Sequence, residues 1–275
     1  MNNANLYSSS NSLQKTDAKY VIDNYFENIK WLSNGGDISL DIGCGDGEIT
    51  SELLLNNMPN THGMIIGTDI SCEMIKHATI AHQNTKLQFR QLDISTKMLP
   101  KQFSGKFDHV FSFYCLHWIQ DQRQAYQNIY DLLKPKGDVL VTYLASNPLF
   151  SIYESISKLG KWQSYMQDYD KYISPFQKSL YPEKELKQIL KNIGFEVELC
   201  KRETRTFVYE DLITWRKSVK AVNPFIERIP ESKRDEYIDE YLEEIIKRDL
   251  ISENNNQIQI NTPYELLVVY AQKRM

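Results

Sequence analysis

The chain reads as an α/β fold, a seven-stranded and mostly parallel sheet with helices on both faces and helical insertions over one edge. Three observations predict it. An apolar strand at residues 38–42 runs into Gly43, Gly45 and Gly47 and then a helical pattern; strand-like and helix-like periods alternate from there to residue 144; three successive strands end in an acid, at Asp41, Asp69 and Asp93.

Each element has a local reason. Residues 17–31 keep a helical face of Ala18, Val21, Ile22, Tyr25 and Phe26, with Gln14 at its entrance. The first strand stops at Gly43, and from Gly47 onward Ile49, Leu53, Leu54 and Met58 recur at helical spacing until Pro59 forbids continuation. Residues 63–69 form a second buried strand, and Ser71 is a good N-cap for a helix carrying Met74, Ile75 and Ala78. A third strand, 87–92, ends at Asp93 and Ile94, and a fourth, 107–113, runs into Tyr114, Cys115, Leu116, His117 and Trp118. Asp121 caps a helix that turns Ala125, Ile129, Leu132 and Leu133 to the sheet, with Pro135 and Gly137 closing it before a fifth strand at 137–144.

The second half departs from a minimal fold. Residues 147–181 are dense in aromatic side chains, among them Phe150, Tyr153, Trp162 and Tyr165, with no strand alternation. They read as a helical insertion. Pro182 suits the first helical position of a run ending at Gly194, and residues 195–209 alternate as a sixth strand. Residues 211–250 are helical and charged, with Leu212, Trp215, Val219 and Val222 on an apolar face, and residues 264–274 close the sheet as an antiparallel seventh strand. Residues 1–275 are thus one domain, and the two insertions are placed to cover the carboxyl ends of the strands as a substrate lid.

Bulk properties exclude several functions. The net charge of -4 arises from 36 acidic and 32 basic residues interspersed along the chain, so no basic face offers itself to nucleic acid. Cys44, Cys72, Cys115 and Cys200 lack the spacing of a metal site or a disulfide framework, which points to a reducing compartment and no metal. No segment approaches the roughly 18 apolar residues of a membrane span, and the expected location is cytoplasmic, as monomer or homodimer.

The glycine loop discriminates between cofactors. A dinucleotide fingerprint needs a third glycine where this chain has Glu48; the pattern here is Asp41-x-Gly43-x-Gly45-x-Gly47, with an acid placed to receive an amino group. It resembles motif I of the class I (Rossmann-like) methyltransferases that use S-adenosyl-L-methionine. An acid ending the second strand, Asp69, can accept both ribose hydroxyls, and Asp93 can accept an adenine amino group while Ile94 packs on the ring.

Over its whole length the chain resembles the insect juvenile hormone acid methyltransferases. The likeness lies in Met1-Asn-Asn-Ala4, Ser10-Asn-Ser-Leu-Gln-Lys15, the glycine loop, the stretch from Phe107 to Tyr114, Leu116-His-Trp118, Ile173-Ser-Pro-Phe176 and Asn223-Pro-Phe225. That resemblance implies methylation of the carboxylate of a sesquiterpenoid acid, farnesoic acid or juvenile hormone acid, in hormone biosynthesis. It implies a cofactor site of Tyr7, Asp41, Gly43, Cys44, Gly45, Asp69, Ile70, Met74, Asp93, Ile94, Ser112 and Phe113. More distantly, the chain is similar to plant carboxyl methyltransferases of the salicylate type, where a glutamine and a tryptophan hold the substrate carboxylate; here these are Gln14 and Trp118. The substrate site expected around them adds His117, Phe150, Tyr153, Trp162 and Tyr165.

The chemistry is coherent without the family. A carboxylate is ionised at neutral pH, so no general base is needed, and His117 is expected to orient or pack. Two neutral N–H donors can fix the anion without drawing charge from the attacking oxygen as a cation would. Anion and sulfonium annihilate charge, which favours a dry apolar pocket. Two other readings remain at this stage: a carboxyl methyltransferase of fatty acids or another small acid, and a non-catalytic duplicate that binds hormone acid.

Overall fold

The computed structural model describes residues 4–254 and 257–274; the first three residues of the Met1-Asn-Asn-Ala4 motif lie outside them. Its strands are β1 (Ile38–Ile42), β2 (Met64–Asp69), β3 (Leu87–Gln91), β4 (Phe107–Phe113), β5 (Leu133–Ser146), β6 (Phe195–Tyr209), β7 (Ile251–Asn254) and β8 (Gln257–Lys273). They form one sheet in the order β3-β2-β1-β4-β5-β8-β6, with β7 paired to β8. β1 to β5 pair in parallel, and β8 runs antiparallel to β5 and β6. The order reverses at β1, so the crevice between the carboxyl ends of β1 and β4 is where such a sheet binds ligands.

Two differences from the sequence expectation concern strands. Eight strands are found where seven were expected, because β8 begins at Gln257 and folds back on β7 as a hairpin, Ile251 opposite Ile260. Its first half alternates only briefly, with Ile258 and Ile260 set between Gln257, Gln259 and Asn261. What makes it a strand is the backbone ladder to the outer half of β6, Val208 opposite Asn261 and Tyr209 opposite Ile260. β5 likewise starts at Leu133, upstream of Pro135, and the irregular register between Phe107 and His109 accommodates the proline.

The helices are α1 (Ala4–Ser8), α2 (Ser12–Tyr25), α3 (Leu55–Asn57, continuing a π-helix Ile49–Leu54), α4 (Cys72–Ala81), α5 (Gln122–Leu132), α6 (Pro148–Ser157), α7 (Pro182–Ile193), α8 (Leu212–Val222) and α9 (Arg234–Lys247). The Ser71 hydroxyl accepts from the Met74 amide at 3.3 Å, the Asp121 carboxylate accepts from the Gln124 amide at 2.9 Å, and Gly194 ends α7 at a φ of +119°. Two apolar layers sandwich the sheet. Ala18, Val21, Leu54, Ile65 and Phe111 belong to one, and Leu40, Val110, Ile129, Leu186 and Leu190 to the other. Each of these Val, Leu, Ile and Phe side chains contributes about 1.5–3 kcal/mol by leaving water.

The two insertions pack together. Tyr153 on α6 stands edge-on to Phe225 at 5.3 Å and to Tyr241 at 6.1 Å, and Trp162 lies 5.2 Å from Tyr237 on α9. Asn223 donates to the Tyr241 hydroxyl at 2.8 Å and accepts from the Phe225 amide at 2.9 Å, which ties the Asn-Pro-Phe turn into this layer. The Ser174 hydroxyl donates to the Leu144 carbonyl at 3.0 Å and anchors the first insertion to the end of β5. No helix among the described residues is long and apolar enough to cross a membrane.

Candidate active site

The site begins where β1 ends. The Gly43 and Cys44 amides donate to the Thr68 carbonyl at 2.6 and 2.9 Å, which folds the loop over the tip of β2. Gly43 has a φ of +74°, and a Cβ there would lie 2.3 Å from the Cβ of Cys115, so only glycine fits. Gly45 donates its amide to Asp69 at 3.1 Å, and Tyr7, buried above it, would be 3.4 Å from a Cβ at that position. The N-terminal segment closes over the same loop. The Ser8 hydroxyl donates to Asp46 at 2.6 Å, and Lys15 forms an ion pair with Glu48.

The acids of this edge are short of positive charge. Asp41 is 2% exposed and its partner is the Thr50 hydroxyl at 2.6 Å, held by the π-helical turn. Burial pushes its carboxyl up to about 7; the Thr50 hydrogen bond opposes this and the Asp69 charge adds to it. Asp69 is also raised by burial, although the Ser71 and Gly45 amides hold it partly down. Neither forms an ion pair among the described residues. Buried anions without a cation are costly, and a cationic ligand carrying hydroxyls and an amino group would offset that cost. The residues present therefore fit the ligand expected from the sequence.

The other expected cofactor residues line up around this loop with differing freedom. Asp93 accepts from the Ser95 amide and hydroxyl at 2.9 and 2.6 Å. Ile94 is buried in the sheet's second apolar layer, with its carbonyl accepting from Asn128 at 2.7 Å. Ser112 spends its hydroxyl on the Ile42 carbonyl at 2.9 Å, Met74 and Phe113 are buried, and Ile70 is exposed at the tip of β2.

Beside the loop, against the two insertions, lies a pocket that opens to solvent. Gln14, His117, Trp118 and Phe150 line it, as do Tyr114, Trp215 and Val219, and among the described residues no Asp, Glu, Lys or Arg does. Neither the Gln14 amide nor the Trp118 indole N–H makes a hydrogen bond among the described residues. His117 is 2% exposed, its Nδ1 has no partner, and burial lowers its pKa to about 3, so the ring is neutral at physiological pH. Its neighbours are rings: Trp118 at 4.7 Å, Tyr114 at 5.8 Å and Phe150 at 6.0 Å.

The structure does not bring every expected residue to this wall. Tyr153, Trp162 and Tyr165 are not in its lining; the first two are spent in the aromatic layer between the insertions, facing α9. The corresponding wall comes from α8, through Trp215, Val219 and Val222, with Tyr209 and Thr262 from the long strands. The apolar face of residues 212–222 was the available signal. Asp17 and Tyr114 were also missed, since they meet across 97 residues, and so was Thr50, which reaches Asp41 through the π-helical turn. Among the described residues no group of three or more His, Cys, Asp or Glu side chains could hold a metal ion.

Comparison with known proteins agrees with the fold. The methyltransferase domain family matches residues 16–199. The juvenile hormone acid O-methyltransferase of Drosophila melanogaster is 40% identical over 99% of this chain and 93% of its own length. That of Bombyx mori is 40% identical over 99% of this chain and 98% of its own. Among solved structures, the YcgJ protein of Bacillus subtilis superposes with a TM-score of 0.58 at 17% identity, covering 93% of this chain and 99% of that one, a likeness of fold.

Proposed function

The chain belongs to the juvenile hormone acid O-methyltransferases, and from that premise we propose that it esterifies the carboxylate of a sesquiterpenoid acid, juvenile hormone acid or farnesoic acid. Asp41, Asp69 and the glycine loop would hold S-adenosyl-L-methionine, which would supply the methyl group from its sulfonium, with S-adenosyl-L-homocysteine as the other product. Gln14 and Trp118 hold the substrate. The observation that carries this reading is that both donors are unspent and line one cavity that has no charged side chain.

Each step falls to a nearby residue. Gln14 and Trp118 donate to the carboxylate, which is already ionised and keeps its charge for attack because no cation grips it. His117, neutral and buried, sets the ring stack that fixes Trp118. Phe150, Trp215 and Val219 exclude water and bury the tail, at about 0.8 kcal/mol per methylene. Asp41 and Asp69 take the cofactor's positive and hydroxylated groups. The enzyme is proposed to be cytoplasmic and to need no metal.

The test is methyl transfer from labelled cofactor to farnesoic acid, with lauric acid as competitor. Gln14→Ala and Trp118→Ala should each lower kcat/KM by roughly 10- to 150-fold, the worth of a hydrogen bond to a charged group, with cofactor affinity retained. Preferred turnover of lauric acid would move the substrate to fatty acids, and cofactor affinity lost along with turnover would place the two residues in the cofactor pocket instead.

A further inference from the structure

α2 carries two buried polar side chains one turn apart, Gln14 and Asp17, and therefore on one face. Asp17 has no exposed surface, and three groups converge on it. The Tyr114 hydroxyl donates to Oδ2 at 2.5 Å, the Tyr264 hydroxyl donates to Oδ1 at 2.9 Å, and Arg205 Nε lies 2.9 Å from Oδ1. Burial raises its carboxyl, and these three partners oppose the rise.

Tyr114 makes this cluster more than a core ion pair. It follows β4, stands four residues before Trp118 and lines the same cavity as Gln14. Its backbone is left-handed, with a φ of +58°, a costly conformation for a non-glycine residue that persists where the surroundings over-determine it. Two hydrogen bonds supply that constraint here: its amide donates to the Thr142 carbonyl at 2.9 Å, and its hydroxyl reaches Asp17. The Tyr114 side chain is thus a strut from the end of β4 to α2. One end carries the turn that presents Trp118 and the other the helix that presents Gln14.

We infer that Asp17 and Tyr114 are positioning residues that set the separation of the two carboxylate donors, with Tyr264 and Arg205 anchoring Asp17 to β8 and β6. The inference rests on the reading that Gln14 and Trp118 bind the substrate. Arg205 has a second consequence, since it neutralises an anion held one turn from the place where another anion binds.

The experiment compares two deletions of a single hydroxyl from the same carboxylate, Tyr114→Phe and Tyr264→Phe, with Tyr114→Phe also made in the Gln14→Ala background. Initial rates with farnesoic acid give kcat and KM, calorimetry gives cofactor affinity, and thermal unfolding reports the fold. Tyr114→Phe is expected to lower kcat about tenfold or more, with cofactor affinity within twofold, because misplaced donors lose alignment. Tyr264→Phe should cost similar stability but less than threefold in kcat. Once Gln14 is gone, Tyr114→Phe should change kcat by less than twofold, since there is no second donor left to align. Equal kcat losses in the two tyrosine variants, or losses from Tyr114→Phe and Gln14→Ala that multiply, would overturn the inference. A wild-type enzyme inactive on farnesoic acid and its epoxide would instead overturn the substrate reading beneath it.

Discussion

The two edges of the sheet handle buried carboxylates in opposite ways. At the edge where the parallel strands begin, His109 lies between two acids, with Nδ1 2.7 Å from Asp138 and Nε2 2.8 Å from Asp37. Asp138 also accepts from the Lys30 amide at 2.9 Å and the Tyr270 hydroxyl at 3.1 Å, and Lys134 pairs with Asp108 at 2.7 Å. Burial alone would lower the His109 pKa, but the bonds to Asp138 and Asp37 outweigh it and raise it. At the edge where the strands end, Asp41 and Asp69 have hydroxyl or amide partners and form no ion pair among the described residues. One edge pairs its acids with a histidine and a lysine of the chain itself, leaving only Asp37 Oδ2 of these carboxylate oxygens buried without a partner, and the other has no such cation among the described residues. A cluster of buried acids therefore marks a ligand site by what it lacks, because the protein could satisfy such groups, and elsewhere in the same sheet it does.

Substitutions can break this comparison. His109→Ala should have the largest effect, a loss of about 3–5 kcal/mol of stability, because it leaves two carboxylates buried without their shared partner. Cofactor affinity per folded molecule should stay within twofold, so chemical denaturation combined with calorimetry checks both halves. Asp41→Asn should do the reverse, weakening cofactor binding about 100-fold while leaving the unfolding midpoint unchanged or higher, since it removes an uncompensated buried charge. If His109→Ala abolished binding without destabilising the fold, the division of labour between the edges would be wrong.

The same contrast explains what could be read from the residues alone. The glycine loop was legible because Gly43 is a backbone requirement that residue type records directly, and Ser71 and Asp121 are caps whose partners sit three residues away. The acids at the strand ends were legible as positions, but not as unpaired groups. The completed edge was invisible, since His109 meets Asp37 across 72 residues. The insertions show the same limit. Aromatic density marked the first insertion and helical spacing the second, without telling which layer faces the cavity, so Tyr153 and Trp162 were expected where α8 supplies Trp215 and Val219. Asp17 lay hidden for the reason His109 did, its tyrosine partners being 97 and 247 residues away. β7 and the start of β8 escaped because the alternation of Ile258 and Ile260 is short and Ser252, Glu253 and Asn254 beside it are polar, so that only the ladder partners mark both segments as strands.

The smallest effect sharpens the contrast most, because it is carried by a single proton. The Asp41 carboxyl, pushed up to about 7 by burial, is largely protonated at pH 6 and largely ionised at pH 8 before any ligand arrives. A cation binds the ionised form, so cofactor affinity should rise about tenfold from pH 6 to pH 8, and binding near pH 7 should release a proton. Stability should move the other way. A carboxyl raised in the folded state favours folding while protonated, and that contribution falls as pH climbs from the ordinary carboxylate range through about 7. The His109 contribution, from a folded pKa above its unfolded value of about 6.5, is present below that value and is lost only above it. Calorimetric titrations at pH 6, 7 and 8 in two buffers of different ionisation enthalpy would resolve the released proton. Asp41→Asn should abolish both the release and the pH dependence of affinity, whereas His109→Ala should alter neither. A flat affinity profile in the unaltered protein would mean that Asp41 meets the cofactor already charged, and that this edge finds its compensation before the ligand arrives.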